Sequence, residues 1–154
     1  MTTEIECKEH AEQPTLSIRV KTSMEELPTI IGESYMKIVN YITELGEKVE
    51  SEPFTAYHTL DMQNMDVEMG FPLTRRLPGR GEIIEGTLPK GLVVSCLYKG
   101  PYMGMESTYN ELFKWIADNQ YEPTGIYYEF YYNSPQEVPE SELLTRMEVP
   151  VTKK

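Results

Sequence analysis

The clearest pattern in the chain is a strict alternation of apolar and polar residues near its start. Between Pro14 and Lys21, the apolar residues Leu16, Ile18 and Val20 alternate with polar ones, which predicts a half-buried β-strand. Short apolar or alternating segments bounded by turn residues predict six further strands, over Phe54–Met62, Asp66–Leu73, Glu82–Leu88, Leu92–Tyr98, Ile126–Asn133 and Leu143–Val151.

Two segments instead show the three- and four-residue spacing of an amphipathic helix. In the first, the apolar positions are Ile31, Tyr35, Ile38, Val39, Ile42 and Leu45. Ser23 and Glu26 fit a capping box before this helix, Pro28 suits its first turn, and Gly46 suits its end. A second helix is predicted from Met105 to Asn119, with the stripe Tyr109, Leu112, Phe113 and Ile116.

The order strand–helix–strand–strand therefore occurs twice, over about residues 14–73 and 82–151, which indicates an internal repeat. Two such units predict a single α+β domain over residues 1–154. We expect tandem β-α-β-β units that form an antiparallel sheet with both helices on one face. The seam between the repeats is expected to leave a concave surface, and hence a ligand cleft, on the other face.

Composition and charge exclude several classes of protein. The chain has 154 residues, 14 basic and 25 acidic, for a net charge of −11, which argues against direct DNA binding. No apolar run approaches the about 18 residues of a membrane span, and the polar N-terminus does not resemble a signal peptide. With only His10 and His58, no metal site or cofactor is expected. Cys7 and Cys96 are interpreted as free thiols, which suits a cytoplasmic protein.

The strongest candidate chemistry lies in the aromatic strand Ile126–Asn133. Alternation places Tyr127, Glu129 and Tyr131 on one side, while Tyr128 and its apolar neighbours should pack under the helices. In the other strands, the same alternation places three more side chains on the Glu129 side: Tyr57, Glu68 and Glu148. It places His58 on the helix-facing side.

Such a set of side chains allows two interpretations. Aromatic walls around a poorly solvated carboxylate suit a flat, lipophilic cation, because ring faces and counter-charge both attract it. Alternatively, Glu129 is an ordinary solvent-facing strand residue and the tyrosines are cross-strand packing. The pattern alone leaves both open.

Five segments of the chain, in this order, form a recognisable set: Leu88–Gly91, Tyr98–Tyr102, Tyr109–Ile116, Tyr128–Pro135 and Leu144–Val151. Together they resemble the GyrI-like family, the effector-binding domain of AraC- and MerR-type multidrug-responsive regulators. The resemblance covers nearly the whole chain and is clearest from Glu82 to Val151.

The resemblance implies a duplicated, GyrI-like or SOUL-like fold with a ligand cleft between its repeats. In multidrug-binding members a buried glutamate of the matching strand meets a cationic ligand, and Glu129 occupies that position. Because no helix-turn-helix segment is found, we expect a stand-alone member that binds lipophilic, cationic aromatic molecules. Tyr102, in the turn before the second helix, joins the predicted ligand-binding set.

Two alternatives follow from stand-alone relatives of this family. The first is a hydrolase of electrophilic, cyclopropane-type molecules, in which Glu129 acts as general base while Tyr131 or Tyr57 orients the substrate. The second is a gyrase-inhibitor-like module whose partner is another protein, which the acidic charge permits.

Overall fold

The computed structural model describes residues 4–49, 51–59, 61 and 63–154, which divide into two compact units. The first unit is Ala11–Lys90, and the second combines the residues up to His10 with Gly91–Lys154. The elements are β1 (Glu6–His10), β2 (Gln13–Thr22), α1 (Leu27–Glu44), β3 (Phe54–Tyr57), β4 (Met65–Pro72), β5 (Ile84–Leu88), β6 (Gly91–Lys99), α2 (Met105–Asp118), β7 (Tyr121–Pro123), β8 (Tyr127–Tyr131) and β9 (Leu144–Lys153).

In the first unit, four antiparallel strands lie in the order β3-β4-β2-β5. Helix α1 packs on one face of these strands, because Ile38 and Ile42 form a buried cluster with Leu16, Ile18 and Phe71. The alternation of β2 therefore predicts correctly which of its faces contacts the helix. The other face is not solvated as a half-buried strand would be, because Thr15 and Ser17 are also buried. Burying such side chains provides most of the free energy that holds the helix on the sheet.

In the second unit, β9 is the central strand and lies antiparallel to β6 on one side and to β8 and β7 on the other. β1 extends this sheet beyond β6. Helix α2 covers one face, where Leu112 and Ile116 pack with Val94, Met147 and Val149. Each unit is thus a sheet with one helix on one face, which confirms the predicted α+β class and the repeated strand–helix–strand–strand order.

The element boundaries agree with the sequence prediction at most positions and differ at a few. β3 is shorter than predicted and ends at Tyr57, while Leu60 and Met62, at the end of the predicted strand, lie outside the described residues. The short strands β1 and β7 were not predicted. Neither has the alternation of a half-buried strand, because most of their residues are exposed.

The two ends of α1 illustrate one wrong prediction and one confirmed prediction. The capping box is wrong, because the cap position is Glu26, without a side-chain cap, and Leu27 N–H donates to the Ser23 carbonyl over 3.1 Å. Residues 24–26 form a turn that separates Ser23 from the helix. At the other end, Gly46 has φ +78°, the left-handed conformation that ends many helices.

The face of β8 that contacts the helix is the opposite of the one predicted. Glu129 pairs with Met147 of β9, and residues directly opposite each other share a face. Since Met147 packs against α2, Glu129 lies on the helix face, and so do Tyr127 and Tyr131. Tyr128, predicted to lie under the helices, pairs with Glu148 on the other face.

The same correction applies to β3 in the first unit. Tyr57 pairs with Val67 and packs in the cluster that includes residues of α1, so it lies on the helix face. Glu68 pairs with Ala56 on the other face. His58, predicted to face the helix, contacts the Glu68 carboxylate on that other face instead. The reason is common to both strands: each carries large or apolar side chains on both faces, so alternation does not identify the helix side.

Candidate functional site

Glu129 lies on β8 at the centre of a group of tyrosines in the second unit. Its side chain is buried, with 8% of the residue exposed. The Tyr109 hydroxyl of α2 donates to Glu129 Oε2 over 2.5 Å, and the Tyr131 hydroxyl donates to Oε1 over 2.7 Å. Hydroxyl donors to a carboxylate make short, charge-assisted hydrogen bonds, and each oxygen of Glu129 accepts one.

Aromatic rings continue outward from this carboxylate along α2 and β8. The rings of Tyr109 and Phe113, one helical turn apart, stack with centroids 6.1 Å apart. Phe113 in turn meets the Tyr127 ring edge-on at 5.5 Å. Such ring contacts are favourable beyond the area that they bury. They fix the direction in which the Tyr109 hydroxyl points.

Tyr102 adds a more exposed ring on the other side of Tyr131. It begins a short 3-10 turn, Tyr102–Gly104, immediately before α2, and its ring meets Tyr131 edge-on with centroids 5.9 Å apart. Burial, and then the negative charge of Glu129, raise the pKa of the Tyr102 phenol above its usual value of 10.0. The neutral phenol is therefore the stable form beside this carboxylate.

The turn that carries Tyr102 is held by a close contact with β6. The Tyr98 hydroxyl donates to the Pro101 carbonyl over 2.7 Å, which fixes the start of the turn. A Cβ added at Gly104 would overlap the same hydroxyl. Only glycine lets the backbone approach this closely, so Gly104 and Tyr98 together position Tyr102.

Glu148, predicted to share the site, lies on the opposite face of the same sheet. It is 7% exposed, and its Oε2 lies 2.7 Å from Nε of Arg146. The Arg146 guanidinium also lies over the Phe130 ring at 4.3 Å and donates to the Tyr132 hydroxyl over 2.6 Å. Arg146 therefore supplies the positive charge next to Glu148.

Glu68, also predicted for the site, belongs to a separate polar cluster in the first unit. Its Oε2 accepts the hydroxyl of the fully buried Ser17 over 2.5 Å, and its Oε1 lies 2.9 Å from His58 Nε2. Next to it, Arg19 donates two hydrogen bonds to Asp66 and holds the pKa of that carboxyl below its usual value. Tyr57 lies on the other face of β3.

The structure thus brings together part of the predicted set: Tyr102, Tyr127, Glu129 and Tyr131. It separates Glu148 from Glu129 by the thickness of the sheet, and Tyr57 from Glu68 likewise. The sequence analysis missed the partner Tyr109, which it assigned to the apolar stripe of the helix. A signal was present, since a stripe tyrosine whose ring is buried still needs an acceptor for its hydroxyl. The predicted ligand cleft between the repeats, and ligand binding by each residue, stay predictions.

In the part of the chain that the structure describes, no group of three or more His, Cys, Asp or Glu side chains is placed to hold a metal ion. None of the helices described combines the length and apolarity that crossing a membrane requires.

The fold and the sequence both have relatives among known proteins. The C-terminal domain of EcmrR is 26% identical, with a TM-score of 0.76, and covers 98% of each chain. In the EcmrR–DNA complex the TM-score is 0.84 at 25% identity; the match covers 98% of this chain and spans 58% of the EcmrR chain. No curated protein sequence matches the chain significantly.

More distant structures share the fold alone. A hydrolase from Listeria innocua is 13% identical with a TM-score of 0.73, over 97% of this chain and 92% of its own. SAV2435, in a structure bound to tetraphenylphosphonium, is 11% identical with a TM-score of 0.69, over 97% and 94%.

The family model of the GyrI-like small molecule binding domain matches residues 3–152, almost the full length of the chain. This match agrees with the repeated strand–helix–strand–strand units and with the likeness to the C-terminal domain of EcmrR. The chain belongs to the GyrI-like small molecule binding domain family.

Proposed function

We propose that this domain binds lipophilic aromatic cations, with Glu129 as the counter-charge. The observation that carries the proposal is the carboxylate itself, which is 8% exposed and accepts hydroxyl groups from Tyr109 and Tyr131. A phenol donates a hydrogen bond but adds no charge. An ionised carboxylate in such a poorly hydrated setting attracts a cation more strongly than it would in water.

The rings beside the carboxylate supply the second attraction. Tyr102 and Tyr131 lie edge to face on one side, and Tyr109 stacks on Phe113 on the other. A cation over such a ring gains about 0.5–2 kcal/mol, more when water is excluded. An aromatic cation would therefore gain from ring contact and from Glu129 together, whereas a neutral aromatic molecule would gain only the first.

Access to the carboxylate would come through Tyr102. This side chain is 41% exposed, and Met103 next to it is 94% exposed. Rotation of the Tyr102 ring away from Tyr131 would open the Tyr131–Glu129 pair to a ligand at the cost of one ring contact. Exposed side chains change rotamer on fast timescales, so this step need not limit binding.

Equilibrium binding of tetraphenylphosphonium tests the proposal, with triphenylphosphine oxide as a neutral aromatic comparison. We expect Glu129→Gln to weaken tetraphenylphosphonium binding about tenfold or more, and to change binding of the neutral compound little. Glu106→Gln, at an exposed position of α2, removes the same formal charge from the same unit and should leave both affinities unchanged. Equal tetraphenylphosphonium affinity in wild type and Glu129→Gln would refute the proposal.

The hydrolase alternative uses the same residue and is separated by products. Incubation with a cyclopropane electrophile, followed by mass spectrometry, would show ring opening if Glu129 activates water. We expect the electrophile to be recovered intact from wild type. Ring opening that disappears in Glu129→Gln would replace the binding proposal with the enzymatic one.

A further inference from the structure

The turn that carries Tyr102 is fixed on both sides by hydrogen bonds. At its start, the Pro101 carbonyl accepts the Tyr98 hydroxyl over 2.7 Å and the Gly104 N–H over 3.0 Å. At its end, the Gly104 carbonyl accepts the Ser107 hydroxyl over 3.1 Å. The close approach of Gly104 to Tyr98 leaves the backbone no room to move towards β6. The turn therefore presents its exposed side chains from a fixed backbone, and only those side chains are free to move.

Met103, the middle residue of this turn, is 94% exposed. Among the large apolar side chains that the structure describes, none is more exposed. Met105, two residues later, shows the ordinary arrangement, because it is 5% exposed and packs in the buried cluster beside β6 and β9. An apolar side chain held in water gains free energy when another molecule covers it. Since the fixed turn cannot carry Met103 into this cluster, only a molecule bound beside it would provide that cover.

Met103 also continues the row of side chains that leads outward from Glu129. The Tyr131 hydroxyl donates to Glu129, and the Tyr131 ring meets the Tyr102 ring with centroids 5.9 Å apart. Consecutive Cα atoms are about 3.8 Å apart, so the Met103 side chain begins directly beside Tyr102. Successive side chains of a 3-10 turn point about 120° apart, which places Met103 at the rim of the ring group rather than inside it. A molecule that contacts Met103 from this group must therefore extend past Tyr102.

We infer that Met103 is a ligand-contacting residue that makes the site favour aromatic molecules of several rings over those of one ring. This inference rests on the proposed function and adds a specificity-determining residue to the same site. A methionine has three rotatable side-chain bonds and a polarisable sulfur that makes favourable contacts with aromatic rings. It can fold over an outer ring of a ligand whose inner ring lies at Tyr102. A molecule with a single ring contacts Tyr102 and Tyr131 and leaves Met103 exposed.

Two cations of equal charge and different size test this role: tetraphenylphosphonium, with four phenyl rings, and phenyltrimethylammonium, with one. We expect Met103→Ala to weaken tetraphenylphosphonium binding about threefold or more, and to change phenyltrimethylammonium binding by less than about twofold. Because the two ligands carry the same charge, the attraction of Glu129 acts on both and does not produce this difference. Met103→Leu keeps the apolar volume and should bind tetraphenylphosphonium within about twofold of wild type. Met36→Ala removes a methionine that is 62% exposed on α1, and it should change neither affinity.

Nuclear magnetic resonance of methyl-labelled methionines measures the contact directly. The Met103 signal is identified by its absence from the Met103→Ala spectrum, and saturating tetraphenylphosphonium should shift it while the Met36 signal stays in place. A Met103 signal that does not move, or equal effects of Met103→Ala on the two ligands, would overturn the inference. If Met103→Ala binds tetraphenylphosphonium as wild type does while Glu129→Gln binds it more weakly, the proposed function stands and the role of Met103 fails. If wild type binds neither ligand, both proposals fail.

Discussion

Three glutamates illustrate how neighbouring groups decide what a buried or half-buried acid can do. Glu148 lies beside the Arg146 guanidinium, and Glu68 lies between the Ser17 hydroxyl and the His58 imidazole. Glu129 accepts two phenol hydroxyls. The chemistry of these contacts, more than burial itself, is the reason for proposing Glu129 as the counter-ion.

The ionisation of Tyr102 reports the charge of Glu129 directly. Its pKa is raised first by burial and then by the Glu129 charge, since both disfavour the phenolate. We expect Tyr102 to titrate above 10.0 in wild type, and Glu129→Gln to lower its pKa part of the way back, because burial remains. An ultraviolet difference titration against Tyr102→Phe isolates this residue.

The raised pKa of Tyr102 also makes the stability of the protein depend on pH. The folded state binds the Tyr102 proton more tightly than the unfolded state does. Its contribution to the free energy of unfolding is therefore complete below the ordinary pKa and declines as the pH rises through that value. A Tyr102 pKa that is the same in wild type and in Glu129→Gln would show that the carboxylate does not act on this phenol.

Cys96 gives an independent check on the second unit. Burial, and then the charge of Glu111, raise the pKa of its thiol to about 11, and the residue is 4% exposed. The thiolate is the reactive form, so iodoacetamide at pH 8 should modify Cys96 far more slowly in the folded protein than in denaturant. Mass spectrometry of Cys7→Ser measures this single site. Equal rates in the two states would contradict the packing of β6 under α2.

At the scale of elements, sequence patterns succeed where polar and apolar faces differ clearly. Strand β2 alternates Leu16 and Ile18 with the polar Ser17 and Arg19, and the face that contacts α1 was predicted correctly. Strand β8 gives no such contrast, because both its faces carry large aromatic side chains and Phe130, on the face away from α2, is only 3% exposed. The helix-facing side of β8 depends on its pairing with β9, which is a long-range contact that periodicity does not contain.

The turn Tyr102–Gly104 before α2 depends on the close approach of Gly104 to Tyr98. Gly104→Ala places a methyl group against the Tyr98 hydroxyl, which Pro101 holds in position, so we expect a loss of about 1–3 kcal/mol in the free energy of unfolding. The displaced turn should also weaken tetraphenylphosphonium binding, because it carries Tyr102. Chemical denaturation and equilibrium binding measure the two effects.

A matched control exists in α1, where a Cβ added at Gly32 meets nothing within 4 Å. Gly32→Ala should stabilise the protein by about 0.5–1 kcal/mol, since alanine favours a helix interior. It should leave ligand binding unchanged. If Gly104→Ala behaves like Gly32→Ala, the close approach of the turn to Tyr98 is not a constraint.

At the scale of the whole molecule, the fold was predicted from the order of its helices and strands. Two strand–helix–strand–strand units, with helices at Leu27–Glu44 and Met105–Asp118, follow from the periodicity of the chain and agree with the family match. The candidate site was predicted less completely. Glu129 and its flanking tyrosines share one face of a strand, so alternation grouped them correctly. Tyr109 belongs to a helix, and no local pattern links a helix residue to a particular strand residue.

The net charge of −11 attracts cations to the whole surface, and this attraction can be distinguished from that of Glu129 by its dependence on salt. Exposed acidic residues attract any cation from solution, and salt screens them, with a Debye length of about 30 Å at 0.01 M and about 8 Å at 0.15 M. Raising the salt between these values should therefore weaken tetraphenylphosphonium binding to wild type and to Glu129→Gln by the same factor. Glu129 is 8% exposed, so salt should screen it little and the ratio between the two affinities should stay constant.

Titrations at both salt concentrations measure this ratio. If it falls towards one at high salt, Glu129 acts through solvent as one more surface charge, and the buried counter-ion is the wrong description of the site.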